Sequence, residues 1–227
     1  LSDAAQKSAA AETRIAVILT RASVSFRFGR QAEAVADARR ALAIAPDRPD
    51  VQAALATYLV EGQGASYAEG LKILRQQLAE SPDDAERMNA VGYSLLSQPA
   101  TLDEGYRLLA KANAAAPFDW AIVDSLGWAY YLYGEFAIAQ KYLEAAAKGF
   151  SSSPNPEVLD HLGDALWRQG KKDEAREQWS NALAARPHKA MADKIKVKLE
   201  RGLTTPVPKK RPRPKVDLTP PKPASAA

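Results

Sequence analysis

Apolar residues in this chain fall in a helical rhythm, and the rhythm recurs. In 156–189, counting Pro156 as position 1, apolar side chains occupy positions 4 (Leu159), 7 (Leu162) and 11 (Leu166), with glycine at 8 (Gly163) and 15 (Gly170). Steps of three and four residues place these on one face of an α-helix. A second helical run follows, with alanine at 20 (Ala175) and 27 (Ala182), tryptophan at 24 (Trp179) and proline at 32 (Pro187). The segment predicts a helix, a glycine turn, and a second helix that ends near Pro187, since proline has no backbone N–H to donate. The phrase around Gly163, DHLGDALWRQG, returns as DSLGWAYYLYG at 124–134 and NAVGYSLL at 89–96. Its glycines, Gly92, Gly127 and Gly163, are 35 and then 36 residues apart. Self-similarity at this interval marks an array of helix-hairpins stacked end to end.

Extending the frame gives five units. They are 15–48, 51–84, 85–119, 120–155 and 156–189, the second carrying Tyr58 where the others favour a small residue. Gly163 and its counterparts let the two helices of a hairpin approach closely, and Ala175 and Ala139 do the same from the opposite helix. Trp179 and Tyr130 are packing residues. Beyond the last unit, 190–203 carries Met191, Ile195 and Leu199 on one stripe, which predicts a capping helix stopped by Gly202. Residues 1–14 read as the end of an upstream helix or repeat, and the opening on Leu1 suggests a cut or processed chain.

At every diagnostic position, 156–189 resembles the tetratricopeptide repeat (TPR) family. The resemblance implies an all-α, right-handed solenoid whose first helices line a concave face. In that family positions 2, 5, 9 and 12 of each repeat point into the groove. Carried over, they give Tyr93 and Leu96, then Ala121, Asp124, Trp128 and Tyr131, then Glu157, Asp160, Asp164 and Trp167. Aromatic rings alternate with carboxylates along this stripe. Rings anchor partners because they bury much area at little entropy cost, although Trp128, Tyr131 and Trp167 are equally able to pack on their own hairpins. Some family members hold a carboxy-terminal carboxylate with Lys and Asn at positions 5, 6 and 9. Here Asp124, Ser125, Asp160, His161 and Asp164 stand there, so the implied partner is a protein or peptide segment that is apolar with basic residues.

Charge changes the picture only at one end. The chain has 31 Lys and Arg against 27 Asp and Glu. Six of the former and one of the latter lie in 204–227, which leaves 25 basic and 26 acidic residues in the repeats. A folded basic patch for nucleic acid is therefore not expected. The tail, with seven prolines and with Lys209, Lys210, Arg211, Arg213 and Lys215, predicts a disordered basic terminus that samples polyproline II. It is either a solvated end or a weak contact for polyanions or anionic lipid.

Chemistry is scarce. The absence of cysteine excludes disulfides and thiol catalysis. Gly163 to Gly170-Lys171 has six residues between its glycines where a phosphate loop has four, and Lys172 replaces the Ser or Thr. Gly62-Gln63-Gly64 reads as a hairpin turn. His161 lies between Asp160 and Asp164 without a nucleophile and reads as structural. The expectation is a non-catalytic scaffold or adaptor that needs no cofactor, metal or small-molecule substrate. The last three repeats also resemble the arrays of large bacterial TPR proteins, among them outer-membrane lipoprotein adaptors of carboxyl-terminal-processing proteases. That resemblance favours a periplasmic or outer-membrane setting, with membrane contact supplied upstream of Leu1.

Overall fold

The computed structural model describes residues 3–218, with side chains from residue 9 onward. Among these residues there are eleven helices and no strand. They pair as five hairpins: α1 (Asp3–Arg27) with α2 (Gln31–Ile44), α3 (Pro49–Val60) with α4 (Ala65–Glu80), α5 (Ala85–Leu95) with α6 (Leu102–Ala115), α7 (Trp120–Leu132) with α8 (Phe136–Gly149), and α9 (Pro156–Arg168) with α10 (Lys172–Ala184). Helix α11 (Lys189–Arg201) follows. Successive hairpins pack through adjacent helices, and α5, α7 and α9 also touch in sequence, so first helices share an inner face.

Local chemistry explains the punctuation. Side chains cap the first helices of the last three hairpins: Asp84 accepts from the Arg87 N–H, Asp119 from Ala121 and Ile122, and Asn155 from Glu157. Inside a hairpin the chain reverses at a residue in the left-handed region, as at Gly134 (φ 72°) and Gly170 (φ 84°). The third hairpin has no glycine there. The hydroxyl of Thr101 instead donates to the carbonyls of Leu95 and Gln98, which closes the longer Gln98-Pro99-Ala100 turn. Helix α10 stops at Ala184, and Arg186 takes φ 58° just before Pro187.

The repeated glycines mark where helices come closest. A methyl group on Gly163 would stand 2.4 Å from Trp179 Nε1, and one on Gly92 or Gly127 would meet Leu109 or Leu143 at 2.9–3.0 Å. Trp179, Leu109 and Leu143 are all fully buried, as are Ala139 and Ala175. In the second hairpin the close approach moves to the opposite helix. Gly70 of α4 lies against Leu59 and Val60, and Tyr58 is freed to pack on Phe26 of α1 with ring centroids 5.1 Å apart. The core runs without a break from α5 through α10 to Ile195 of α11, with Met191 and Leu199 packed beside it. The predicted cap therefore sits where its stripe requires.

Two expectations change. The described part of 1–14, from Asp3 on, is continuous with α1 of the first hairpin rather than a separate element. The tail was expected to be disordered over 204–227. Residues 219–227 lie outside the described residues, but 204–218 are laid across the array in irregular, extended form. Arg168 of α9 donates to the carbonyls of Thr205 and Pro206. The Arg211 N–H donates to the Tyr133 carbonyl at 3.3 Å, and Arg213 pairs with Glu135 at 2.9 Å. Proline content does exclude helix and sheet here. It does not reveal that the repeats carry acids and rings placed to hold the arginines.

The Gly163 contact sets a stability prediction. Gly163→Ala should destabilise the chain by about 1–3 kcal/mol, the usual cost of overpacking a filled core. Pairing it with Trp179→Phe, which removes the crowded Nε1, should return part of that loss. Urea unfolding followed by circular dichroism measures both; an unchanged midpoint for Gly163→Ala would show that the two helices can part without cost.

Candidate functional site: the inner cleft

Of the ten positions carried over to the groove, Ala121 is exposed and Glu157 accepts a hydrogen bond from Tyr93; the other eight divide into two groups. Tyr93, Leu96 and Trp128 line a cleft of ≈ 700 Å³ between the second, third and fourth hairpins. The remaining five are absorbed by the protein itself. Tyr131 is buried, with its ring 4.4 Å from Trp128 in a near-parallel stack, and its hydroxyl accepts from Arg168 at 3.0 Å. Burial pushes that hydroxyl up to about 12. Trp167 is half-buried, packed 5.3 Å from Trp179 with Lys172 3.6 Å above its ring, and Gly202 presses on it closely enough that a methyl there would stand 2.2 Å away.

The three aspartates are the main correction. They do not present charge to a partner. Lys198 of α11 inserts its ammonium between Asp160, 2.8 Å from both oxygens, and Asp164 at 2.7 Å. Trp179 Nε1 donates to Asp164 at 3.0 Å. Burial raises Asp164 to about 6, against the opposing pull of Lys198. Asp124 faces His161 across 3.1 Å, and both are buried. Burial disfavours charge on each and lifts the Asp124 carboxyl. For His161 the attraction of Asp124 outweighs burial and pushes it up to about 9. The His161 ring also stacks on Trp128 at 4.2 Å, a geometry in which a protonated imidazole is held by the ring face. The charges of these carboxylates are met within the chain, which removes the physical ground for a basic partner.

What stays open is the cleft. Its floor is Tyr93, Leu96 and Trp128, its walls are Tyr67 and Leu132, and its rim is the Gly62–Gly64 turn with Ser97 and Gln98. Tyr67 is fixed by a hydrogen bond from its hydroxyl to the Ser94 carbonyl at 2.9 Å, and Tyr93 by one to Glu157 at 2.5 Å. These bonds tie α4 to α5 and α5 to α9, so the cleft is held by three hairpins at once. Positional carry-over missed Tyr67 because it belongs to a second helix, and Leu132 because it closes α7 beyond position 12. Lys198 was missed as well, although its place on a cap otherwise rich in lysine gave no signal of its own.

Comparison with known proteins agrees with the architecture. No family model matches the chain. A TPR repeat-containing protein of Pseudomonas aeruginosa is 40% identical over 93 residues, which is 41% of this chain and 15% of that protein. The chain thus matches a small part of that relative's length. Among solved structures, a thermophilic TPR protein of Thermus thermophilus superposes with a TM-score of 0.68 at 19% identity, covering 83% of this chain and 98% of that one. A tetratricopeptide repeat protein of Parabacteroides merdae gives 0.66 at 20% identity over 82% and 70%. Pseudomonas aeruginosa pilF gives 0.54 at 20% identity over 85% of each chain. The fold is a tetratricopeptide-repeat solenoid.

The buried His161–Asp124 pair makes stability depend on pH in a definite direction. A folded value near 9 against the ordinary 6.5 means that protonation of His161 supports the fold. That support is complete below 6.5 and is lost as pH rises through 9. The melting temperature should fall across this window. His161→Gln should melt lower than the unsubstituted chain at pH 6 and show a flatter profile from pH 6.5 to 9. Two profiles of equal slope would mean that His161 stays neutral in the fold.

Proposed function

We propose that this TPR solenoid is a non-catalytic scaffold that grips a segment of a protein partner in the cleft between its second and fourth hairpins. The observation that carries the reading is the contrast along one inner face. Asp124 pairs with His161, and Asp160 and Asp164 with Lys198 of the cap, while Tyr67, Tyr93, Trp128 and Leu132 surround open volume. Rings held rigidly by hydrogen bonds and stacking bind at low entropic cost, because they lose little freedom when a ligand arrives. Such a site takes an apolar side chain on its floor and satisfies the ligand backbone at its polar rim, the usual division of labour in a peptide cleft. TPR proteins in general mediate protein–protein interaction, and this cleft is the place where the present chain is built to do so.

Filling the cleft tests this without disturbing the stacked core. Ser97 is exposed on the rim, so Ser97→Trp should place a ring in the cleft while leaving the melting temperature unchanged. Peptides selected from a displayed random library on the unsubstituted chain should bind the variant at least tenfold more weakly. They should bind Lys141→Glu, on the exposed side of α8, as well as before. Peptides indifferent to Ser97→Trp would move the recognition surface elsewhere.

A further inference from the structure

We propose that a second site, distinct from the inner cleft, recognises extended arginine–proline segments, and that residues 211–214 of the tail are its resident ligand. It is built by Tyr106 and Asp103 of α6, Tyr130 at the end of α7, and Tyr133 and Glu135 in the turn before α8. Arg213 lies with its guanidinium carbon 4.7 Å from the centre of the Tyr130 ring and 5.3 Å from that of Tyr106. Its Nε donates to Glu135 at 2.9 Å and a terminal nitrogen donates to the Tyr106 hydroxyl. Arg211 lies one step away with its guanidinium carbon 4.8 Å from the Tyr133 ring and a terminal nitrogen 3.5 Å from Asp103, an ion pair without a hydrogen bond. Each arginine thus meets a ring face and a carboxylate together. A planar guanidinium can stack and donate sideways at the same time, whereas a lysine ammonium cannot.

The pocket belongs to the repeats rather than to the tail. Tyr106 sits edge-on to Tyr130 and Tyr133 at 5.9 and 5.4 Å, and Tyr133 donates to Asp103 at 2.5 Å. These ring contacts and the Tyr133–Asp103 bond are made between residues of the repeats themselves. The ligand is equally prepared. Pro212 and Pro214 hold the segment extended, and a polyproline-type strand makes no internal hydrogen bonds, so the Arg211 N–H is free to donate to the Tyr133 carbonyl. A cavity of ≈ 620 Å³ opens at this site, bordered by Tyr106, Asn113, Tyr130 and Tyr142 of the repeats and by the tail from Arg213 to Leu218. Among the described residues the buried Asn113 Oδ1 has no hydrogen-bond partner.

Tethering keeps the resident ligand at high effective concentration, so a free segment of the same chemistry competes poorly until the tail is weakened. This is measurable on the full chain. A fluorescent peptide of residues 204–218 is titrated, with polarisation as the readout, into the unsubstituted chain and into Arg211→Ala/Arg213→Ala, whose repeats are untouched. The double variant should bind the peptide at least tenfold more tightly. Adding Glu135→Gln should remove at least tenfold of that affinity. A peptide with lysine at both arginine positions should bind at least tenfold more weakly than the native one. Equal binding by the unsubstituted and double-variant chains would overturn the proposal. Equal binding of the lysine and arginine peptides would also overturn it, because charge alone would then suffice.

Discussion

The structure depends on how closely two helices of a hairpin can approach. Gly92, Gly127 and Gly163 remove a side chain at that point, and a single large residue from the opposite helix fills the space: Leu109, Leu143 and Trp179. This contact fixes the distance within a hairpin, and so fixes which residues are left to face the next one. Tyr130 and Trp179 are internal because the glycine beside them, or one turn away, draws the second helix in. Trp128, one residue beyond Gly127, is consequently thrown to the inner side, where it stacks on Tyr131 and His161. The aromatic content of the inner face thus follows from the packing rule of the hairpins. The second hairpin supports the argument from the other direction, since Gly70 supplies the close approach from α4 while α3 carries Tyr58.

The C-terminal end is closed by elements that follow the repeats. Helix α11 covers the last hairpin with Ile195, Met191 and Leu199, and Lys198 takes the two aspartates that would otherwise be buried against it unpaired. Burying three charges is favourable only when they compensate one another and their remaining hydrogen bonds are met; here Trp179 supplies one of those bonds to Asp164. Removing the lysine would leave two carboxylates together in the core. The cap is therefore required electrostatically as well as for its apolar stripe.

Much of this was legible in the sequence. Periodicity about the glycines placed all five hairpins, because glycine, alanine and proline spacing reports backbone constraints that are local. The packing roles of Tyr130, Trp179, Ala139 and Ala175 followed from the same frame. The cap also followed, since its stripe of Met191, Ile195 and Leu199 is a single-helix property. The inner face was legible only as a list of positions. Which of Asp124, Asp160 and Asp164 would face a partner depended on His161 and Lys198, which lie 37 and 34–38 residues away in sequence, and no local pattern encodes such a pairing. The tail shows the same limit more sharply. Its composition excludes regular structure correctly, but Arg213 finds Tyr106 across 107 residues.

These contacts give the array a direction. At its C-terminal end the charges of the inner face are neutralised, and the tail is led from Gly202 past Arg168 and Tyr133 to the outer side between α6 and α8. Among the described residues no segment fills the space between α3 and α7, where three hairpins hold tyrosines and a tryptophan around open volume. A solenoid stabilised by nearest-neighbour contacts can leave such a space unfilled only if the flanking units are themselves well anchored. The continuous core from α5 to α11 provides that anchor on one side, and the Tyr67 and Tyr93 hydrogen bonds extend it across the cleft. The consumption of the inner face beside α9 and α11 and the cleft bordered by α4, α5 and α7 are thus two sides of one arrangement: the closed end provides the rigidity that holds the cleft open.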